Sequence, residues 1–579
     1  MYKLASLTAI LILALLLPFF GCSTGSNAIK NPDSYIVATN VEPASLDPAY
    51  VYDIASAAQI QNIYETLLKF DKSSTEKFIP GLATEWNVSA DGKTYRFLIR
   101  GGVTFHNGNP LTPEDVEYSF ERGMVQDYSL GPQWLIFEPL FGLGVYTSRS
   151  ENGLIPLQDI KSKVEVDGNW VQFNLAAPYA PFLQILASSW GSIVDMDWCI
   201  AQGDWNGTQE SYGALNNPGP NGTPLNSIAN GTGPYRLEYW QPGAEISLVR
   251  NDEYWGTPAV LKRAVTKFVD EWSVRNLELR NGDIDTAVIP GQAINEVRQW
   301  DGVSVYEALP TLMNQAFFFQ FIINENSTMI GSGKLDGSGI PLDFFSDVNV
   351  RKGFAYAFDW DAYVKDGLSG YGAQIASPMV QGIPYYDPGW PEYTYDPAKA
   401  EEYLRVAWGG KLWDTGFELT LVYTSGEITG KVACEILQTN LFNINPKFKI
   451  NLQIMSWPSM LNEIISGKLP LYLNGWTADY PDPHNFVFPF MHSKGTFAQW
   501  QGYANLDADN LIEKAIAAGD PANRQALYNQ IAQLYYDDVP SIMVAQLYSV
   551  FIFRDWVKGF VYNPIRPVQE MYSYYLNKG

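Results

Sequence analysis

Hydrophobic and polar positions fall into two textures along this chain. Through the first half, alternation with a period of two recurs at Tyr35, Val37 and Thr39, at Tyr95, Phe97 and Ile99, and at Val171, Phe173 and Leu175. Each run predicts a strand with one buried face. Ala90-Asp91-Gly92-Lys93 stands before the second run and Asp167-Gly168 before the third, so both predict hairpins. Ile60, Ile63, Tyr64 and Leu67 share a helical spacing and predict a helix over 60–68. Thr112-Pro113-Glu114-Asp115 predicts a helix start, with Thr112 as the cap and Pro113 in the first turn. Residues 204–233, rich in Gly, Asn, Pro and Thr, predict a loop or insertion.

After 317–323 the pattern changes to alternating helices and strands. Helices are predicted over 350–358, after Asp396-Pro397, and after Asp520-Pro521, where Leu527, Tyr528, Ile531, Leu534 and Tyr535 line one side. Strands are predicted over 419–423, 448–454 and 469–473. The alternation describes an α/β protein. No internal repeat is present.

The last of these strands runs into Gly475-Trp476-Thr477-Ala478-Asp479-Tyr480-Pro481-Asp482-Pro483, where two prolines end it. That places the Asp479 carboxylate at a strand end between Trp476 and Tyr480. A carboxylate beside aromatic faces suits a ligand cation, an ammonium above all. The alternative is a strand-to-loop corner whose Asp caps backbone N–H groups.

Length and charge narrow the picture. A chain of 579 residues exceeds one hydrophobic core, so at least two domains are expected. With 38 basic against 62 acidic residues, the net charge of −24 excludes a nucleic-acid partner. Lys3, the apolar run 4–17 and Gly21-Cys22 read as an export signal over 1–21, in the manner of a lipoprotein leader with lipid on Cys22. Residues 22–33 then form a polar tether, and the body is extracytoplasmic, anchored to the cell membrane. Cys199 and Cys434 are too few for a disulfide framework and are expected to stay reduced. His106, His484 and His492 lack the spacing of a helical metal pair, so no metal and no cofactor is expected. Asp479 and Asp482, three apart across a proline, fit turn capping better than a glycosidase pair, and no enzyme is expected.

Six stretches in register carry a resemblance: Ser45-Leu46-Asp47-Pro48, Ala90 to Tyr95, Phe105-His106-Asn107-Gly108 through Val116, Gly231-Thr232-Gly233-Pro234-Tyr235, Arg351 to Asp359, and Gly475 to Pro483. Together they resemble the extracellular solute-binding protein family 5, receptors of ABC importers for peptides, nickel chelates and some oligosaccharides. The resemblance implies a two-lobe fold like that of the periplasmic binding proteins (type II, cluster C) with a hinge. The first lobe would span 34–309 with an extra small domain at 70–181, the second 310–539, and 540–579 would return to the first.

It also implies that the backbone of Gly475, Trp476, Thr477 and Ala478 pairs with an extended peptide while Asp479 takes its α-ammonium, with Tyr480 beside it. The Arg and His that read the peptide carboxylate in oligopeptide binders are replaced here by Leu473 and Thr429, in or near the loop after Tyr423. A short peptide with a fixed C-terminus is therefore disfavoured. The first reading is therefore an extended or longer peptide whose C-terminus is left free; the alternative, to which the 18 Trp and 35 Tyr point, is an oligosaccharide stacked on Trp457 and Trp476, with Trp134 and Trp190 as weaker candidates. The expected partners are peptide or sugar, an ABC permease and ATPase, and the membrane through the lipid anchor. A sensor or adhesin without transport is the remaining alternative, and the protein is expected to be a monomer.

Overall fold

Two long antiparallel strands, Val303–Phe319 and Ser541–Arg554, run side by side and belong to both halves of the molecule. The computed structural model describes residues 29–219, 221–426, 428–566 and 572–579, so Cys22 and the leader lie outside the described residues. At one end of the long pair, Val303–Tyr306 meets Phe551–Arg554, and the sheet continues through Thr286–Ala287, Ser34–Thr39 and Arg263–Phe268 to a hairpin of Glu245–Arg250 and Tyr235–Gln241. At the other end, residues 314–318 pair with 541–546 on one side and with Leu471–Thr477 on the other. Phe417–Thr424 and Phe448–Met455 complete that half in parallel.

Between the halves the long pair is irregular. Its register shifts between Tyr306 and Leu309 and again between Pro310 and Asn314, and Ala308 has φ 56°. Pro310 cannot donate to a ladder, and a bulge lets a strand bend. A bulged, proline-bearing waist joining two packed lobes is the hinge of this fold.

Packing explains why the second-lobe strands read as continuous apolar runs. Phe317, Phe319, Leu471 and Leu473 enter one buried cluster, whereas Ala316, Phe318 and Tyr472 enter another on the opposite sheet face. Both faces are covered, so alternation vanishes. In the first lobe a separate four-stranded sheet (Ala83–Val88, Thr94–Ile99, Trp170–Asn174, Val164–Asp167) packs under helix Pro113–Gln126. Both hairpins form as predicted, with Gly92 and Gly168 at φ 69° and 61°. Asp115 accepts from the Thr112 N–H at 2.8 Å, closing the predicted cap. From the same helix, Arg122 binds Asp47 and Asp204 in a buried triad that fixes the Ser45–Pro48 loop. Cys199 and Cys434 are both buried.

Three local expectations need correction. The first helix is Ile54–Ile63 rather than 60–68, because Asp53 caps it early and the Gly231–Gly233 loop crosses its end. There the Gly233 N–H bonds the Ile63 carbonyl at 2.9 Å, and a Cβ on Gly231 would lie 2.1 Å from that oxygen. The loop 204–233 contains a helix, Gln209–Leu215, capped by Thr208. Finally, the strand predicted at 469–473 is Leu471–Thr477 and runs on through the glycine.

Candidate functional site

Strand Leu471–Thr477 is paired unevenly, and that sets up the site. Along its whole length it bonds Met313–Phe319, with Thr477 opposite Met313 and Gly475 opposite Gln315. On its other edge only Leu471 and Tyr472 pair with a neighbouring strand, at Leu421 and Val422. From Leu473 onward that edge has no strand beside it among the described residues. Gly475 is required by the paired edge: an added Cβ would sit 2.4 Å from the Asn314 carbonyl oxygen.

From Gly475 to Asp479 this end of the strand lines a cavity of about 750 Å³. Its walls come from the hinge strands at Thr311–Met313 and Phe551, helix Ile54–Ile63, Trp190, and the C-terminal segment at 562–566 with Tyr572 and Tyr575. Elements of both lobes therefore enclose it, as expected of a ligand site.

Asp479 projects from the end of the strand into this space. The last rung is the Ala478 N–H on the Leu312 carbonyl at 2.9 Å. Beyond it the loop is fixed by Asp482, which takes both arms of Arg524 at 2.9 and 2.7 Å and caps the next helix at the His484 N–H. Asn485 then orients the site: its Oδ1 accepts from the Asp479 N–H and the Trp476 Nε1–H, each at 3.0 Å, and its Nδ2 donates to Asp479 Oδ2 at 3.3 Å. From the first lobe, the Tyr52 hydroxyl donates to Asp479 Oδ1. Among the described residues, no cation pairs with the carboxylate. Burial raises its pKa to about 6, against the pull of the Tyr52 and Asn485 hydrogen bonds.

The other charged groups of the wall differ. Glu65 accepts from Thr232, Tyr254 and Trp255 and pairs with Lys69 at 2.5 Å, so both charges are satisfied internally. Asp53 is spent on its helix cap, accepting from the Ser56 N–H at 2.8 Å. Arg566 stacks on Tyr572, 4.2 Å from the ring centroid, and meets no carboxylate among the described residues.

Of the residues singled out from sequence, Gly475, Trp476, Thr477, Ala478 and Asp479 come together on the cavity wall, and Trp190 joins them. Tyr480 does not. It is buried beside the wall, its hydroxyl 3.3 Å from that of Tyr179. Tyr423 also turns away, into the core of the second lobe. Trp457 opens helix Trp457–Ile465, is 42% exposed and stands outside the cavity. Trp134 supports the site from behind, its ring centroid 6.5 Å from that of Tyr52.

Tyr52, Lys69, Arg566, Tyr572 and Tyr575 were not singled out. The C-terminal cluster of tyrosines around one arginine is a compositional signal, but it has no period to attach it to an element. His106 is structural: its ring bonds the Gly233 carbonyl and the Gly231 N–H, and burial lowers its pKa to about 4. No metal-binding cluster occurs among the described residues.

A ligand-sized space enclosed by two lobes that continuous strands join is the architecture of a solute-binding protein. Comparison with known proteins agrees. The family described as bacterial extracellular solute-binding proteins, family 5, matches residues 77–498. The chain belongs to that family, whose members bind solutes and are not enzymes. It is 29% identical over 558 residues to the dipeptide-binding protein of Escherichia coli (strain K12), covering 94% of this chain and 92% of that one. A probable D,D-dipeptide-binding periplasmic protein of the same organism is 25% identical, covering 93% of both chains. Among solved structures, DppA of Helicobacter pylori in complex with the peptide STSA superposes with a TM-score of 0.70 at 23% identity, over 94% of this chain and 98% of that one. No described helix is long and apolar enough to cross a membrane.

Proposed function

We propose that this protein captures peptides outside the cell membrane and delivers them to an ABC permease. The observation that carries the reading is the pairing of two features on one wall among the described residues: the strand stretch Gly475 to Thr477, whose outer edge has no neighbouring strand, and at its end a carboxylate with no cation beside it. An extended peptide adds to such an edge as a further strand, and its α-ammonium meets Asp479. Two relatives named as dipeptide-binding proteins support the same ligand class.

Trp476, Trp190 and the wall tyrosines would also stack on a sugar ring. A neutral sugar, however, leaves the Asp479 charge uncompensated, and that costs several kcal/mol by the usual order of magnitude. Lipid attachment at Cys22 and handover to a permease rest on the leader sequence and on the family.

Thermal unfolding tests the reading. Alanine peptides of two to five residues should raise the melting temperature in proportion to occupancy, whereas maltotriose and cellotriose should leave it unchanged. Stabilisation by the sugars alone would overturn it.

A further inference from the structure

Within the cavity wall the charges do not cancel locally. Lys69 is taken by Glu65, and Asp53 by its helix. Among the described residues of the wall, that leaves Asp479, contributed by the second lobe, and Arg566, contributed by the C-terminal segment. This segment is tied to the first lobe: Asn563 Nδ2 donates to the carbonyls of Lys72 and Ser74 at 2.7 and 3.1 Å, and the Ser573 N–H donates to Asn62 at 3.0 Å.

Buried cations elsewhere in the protein are matched to acids or saturated by carbonyls. Arg122 has Asp47 and Asp204, Arg524 has Asp482, and Lys578 has Asp285. Arg275 spends its donors on the carbonyls of Val269, Asp270 and Val288. Arg566 has two tyrosine rings and one carbonyl, that of Val561, at 3.2 Å from Nη1. Stacking on one ring covers a face of the guanidinium and leaves edge donors for a carboxylate, which a guanidinium receives in two parallel hydrogen bonds.

We propose that Arg566, stacked on Tyr572 with Tyr575 beside that ring, is the anion pole of the cavity and takes the C-terminal carboxylate of the peptide. The proposal rests on the peptide reading above and sharpens it. A ligand bound at both ends, ammonium on Asp479 and carboxylate on Arg566, bridges the two lobes through its own charges and must be short enough to lie within about 750 Å³. It also revises the expectation that a short peptide lacks a carboxylate partner. That expectation looked only at the second lobe, where Leu473 and Thr429 carry no charge and Lys431 pairs with Glu435 at 3.4 Å.

Burial pulls the Arg566 pKa down, and no carboxylate among the described residues opposes it, so an arriving carboxylate relieves an unfavourable charge. Burial holds the Tyr572 phenol up at about 12, so it stays a neutral hydroxyl at working pH.

Calorimetric titration with alanine peptides of two to five residues, each as free acid and as C-terminal amide, tests the pole. In the wild type, amidation should weaken the tightest binder on the order of 10²-fold. In Arg566→Gln the free acid should bind as weakly as the amide does, and Arg566→Lys should recover part of the difference while all three proteins melt alike. Equal binding of acids and amides by the wild type would overturn the anion pole and leave the peptide reading standing. An acid preference that survives in Arg566→Gln would overturn the assignment to this residue. Binding of neither form would overturn the peptide reading itself, and the pole with it.

Discussion

Replacing Asp479 by asparagine removes one charge and leaves the shape of the site intact. Tyr52 can still donate to the side-chain oxygen of the new amide, and the backbone N–H at this position still reaches Asn485. What disappears is the attraction for an ammonium. Two unit charges about 4 Å apart at an effective dielectric near 20 attract by about 4 kcal/mol. A hydrogen bond to a charged group contributes roughly 1.5–3 kcal/mol. Part of this is present before binding as the cost of an unpaired carboxylate, visible in a pKa of about 6 against the ordinary 3.8. Near two units, that is up to about 3 kcal/mol, released when the ammonium arrives.

Taken together, Asp479→Asn should weaken a free-amine alanine peptide by about 3 kcal/mol, on the order of 10²-fold, in calorimetry at pH 7. The ligand-free variant should melt no lower than the wild type, because a desolvated charge has been removed. Weak binding combined with an unchanged melting temperature separates loss of the contact from loss of the fold. An affinity within about threefold of wild type would refute the reasoning, whatever the melting temperature.

Other consequences concern pH and packing. Because Asp479 must be ionised to pair, peptide affinity should rise about tenfold per pH unit up to about 6 and then level off, with no such slope in Asp479→Asn. Glu138, buried with Tyr179 donating at 2.9 Å, is held up at about 7 by burial, so the folded state keeps a proton that the unfolded state releases near 4.5. Stability should therefore fall as pH rises from about 4.5 to 7, with up to roughly 3 kcal/mol of the fall due to Glu138, and Glu138→Gln should make that slope shallower in denaturant titrations. Arg524→Met strands Asp482 in the core and should cost about 3–5 kcal/mol in chemical unfolding. Gly475→Ala drives a methyl into the Asn314 carbonyl and should lower both stability, by about 1–3 kcal/mol, and peptide affinity.

Local chemistry made much of this molecule readable in advance. The hairpins at Gly92 and Gly168, the caps at Thr112, Asp396 and Asp520, and the second-lobe strands each follow from signals within a few residues. Gly475 to Asp479 form one continuous stretch, and the structure places that stretch on the cavity wall. Tyr423 was expected at the ligand from the loop it opens and Trp457 from its place one helix before the key strand, but packing decides where they point: one is core, the other faces solvent. Arg566 and Tyr52 escaped for the opposite reason. They reach the cavity from segments hundreds of residues apart, and only the sheet topology brings those segments opposite strand Leu471–Thr477. The helix Ile54–Ile63 was misplaced because its end is set by the distant Gly231–Gly233 loop.

The most direct test of the central claim is to identify the cargo the protein already carries. Protein lacking residues 1–22 would be purified from cells under native conditions and denatured, and the released small molecules analysed by mass spectrometry. The account predicts peptides with free amino and carboxyl ends, present in wild type and absent from Asp479→Asn. Recovery of neutral oligosaccharide from both proteins would contradict it.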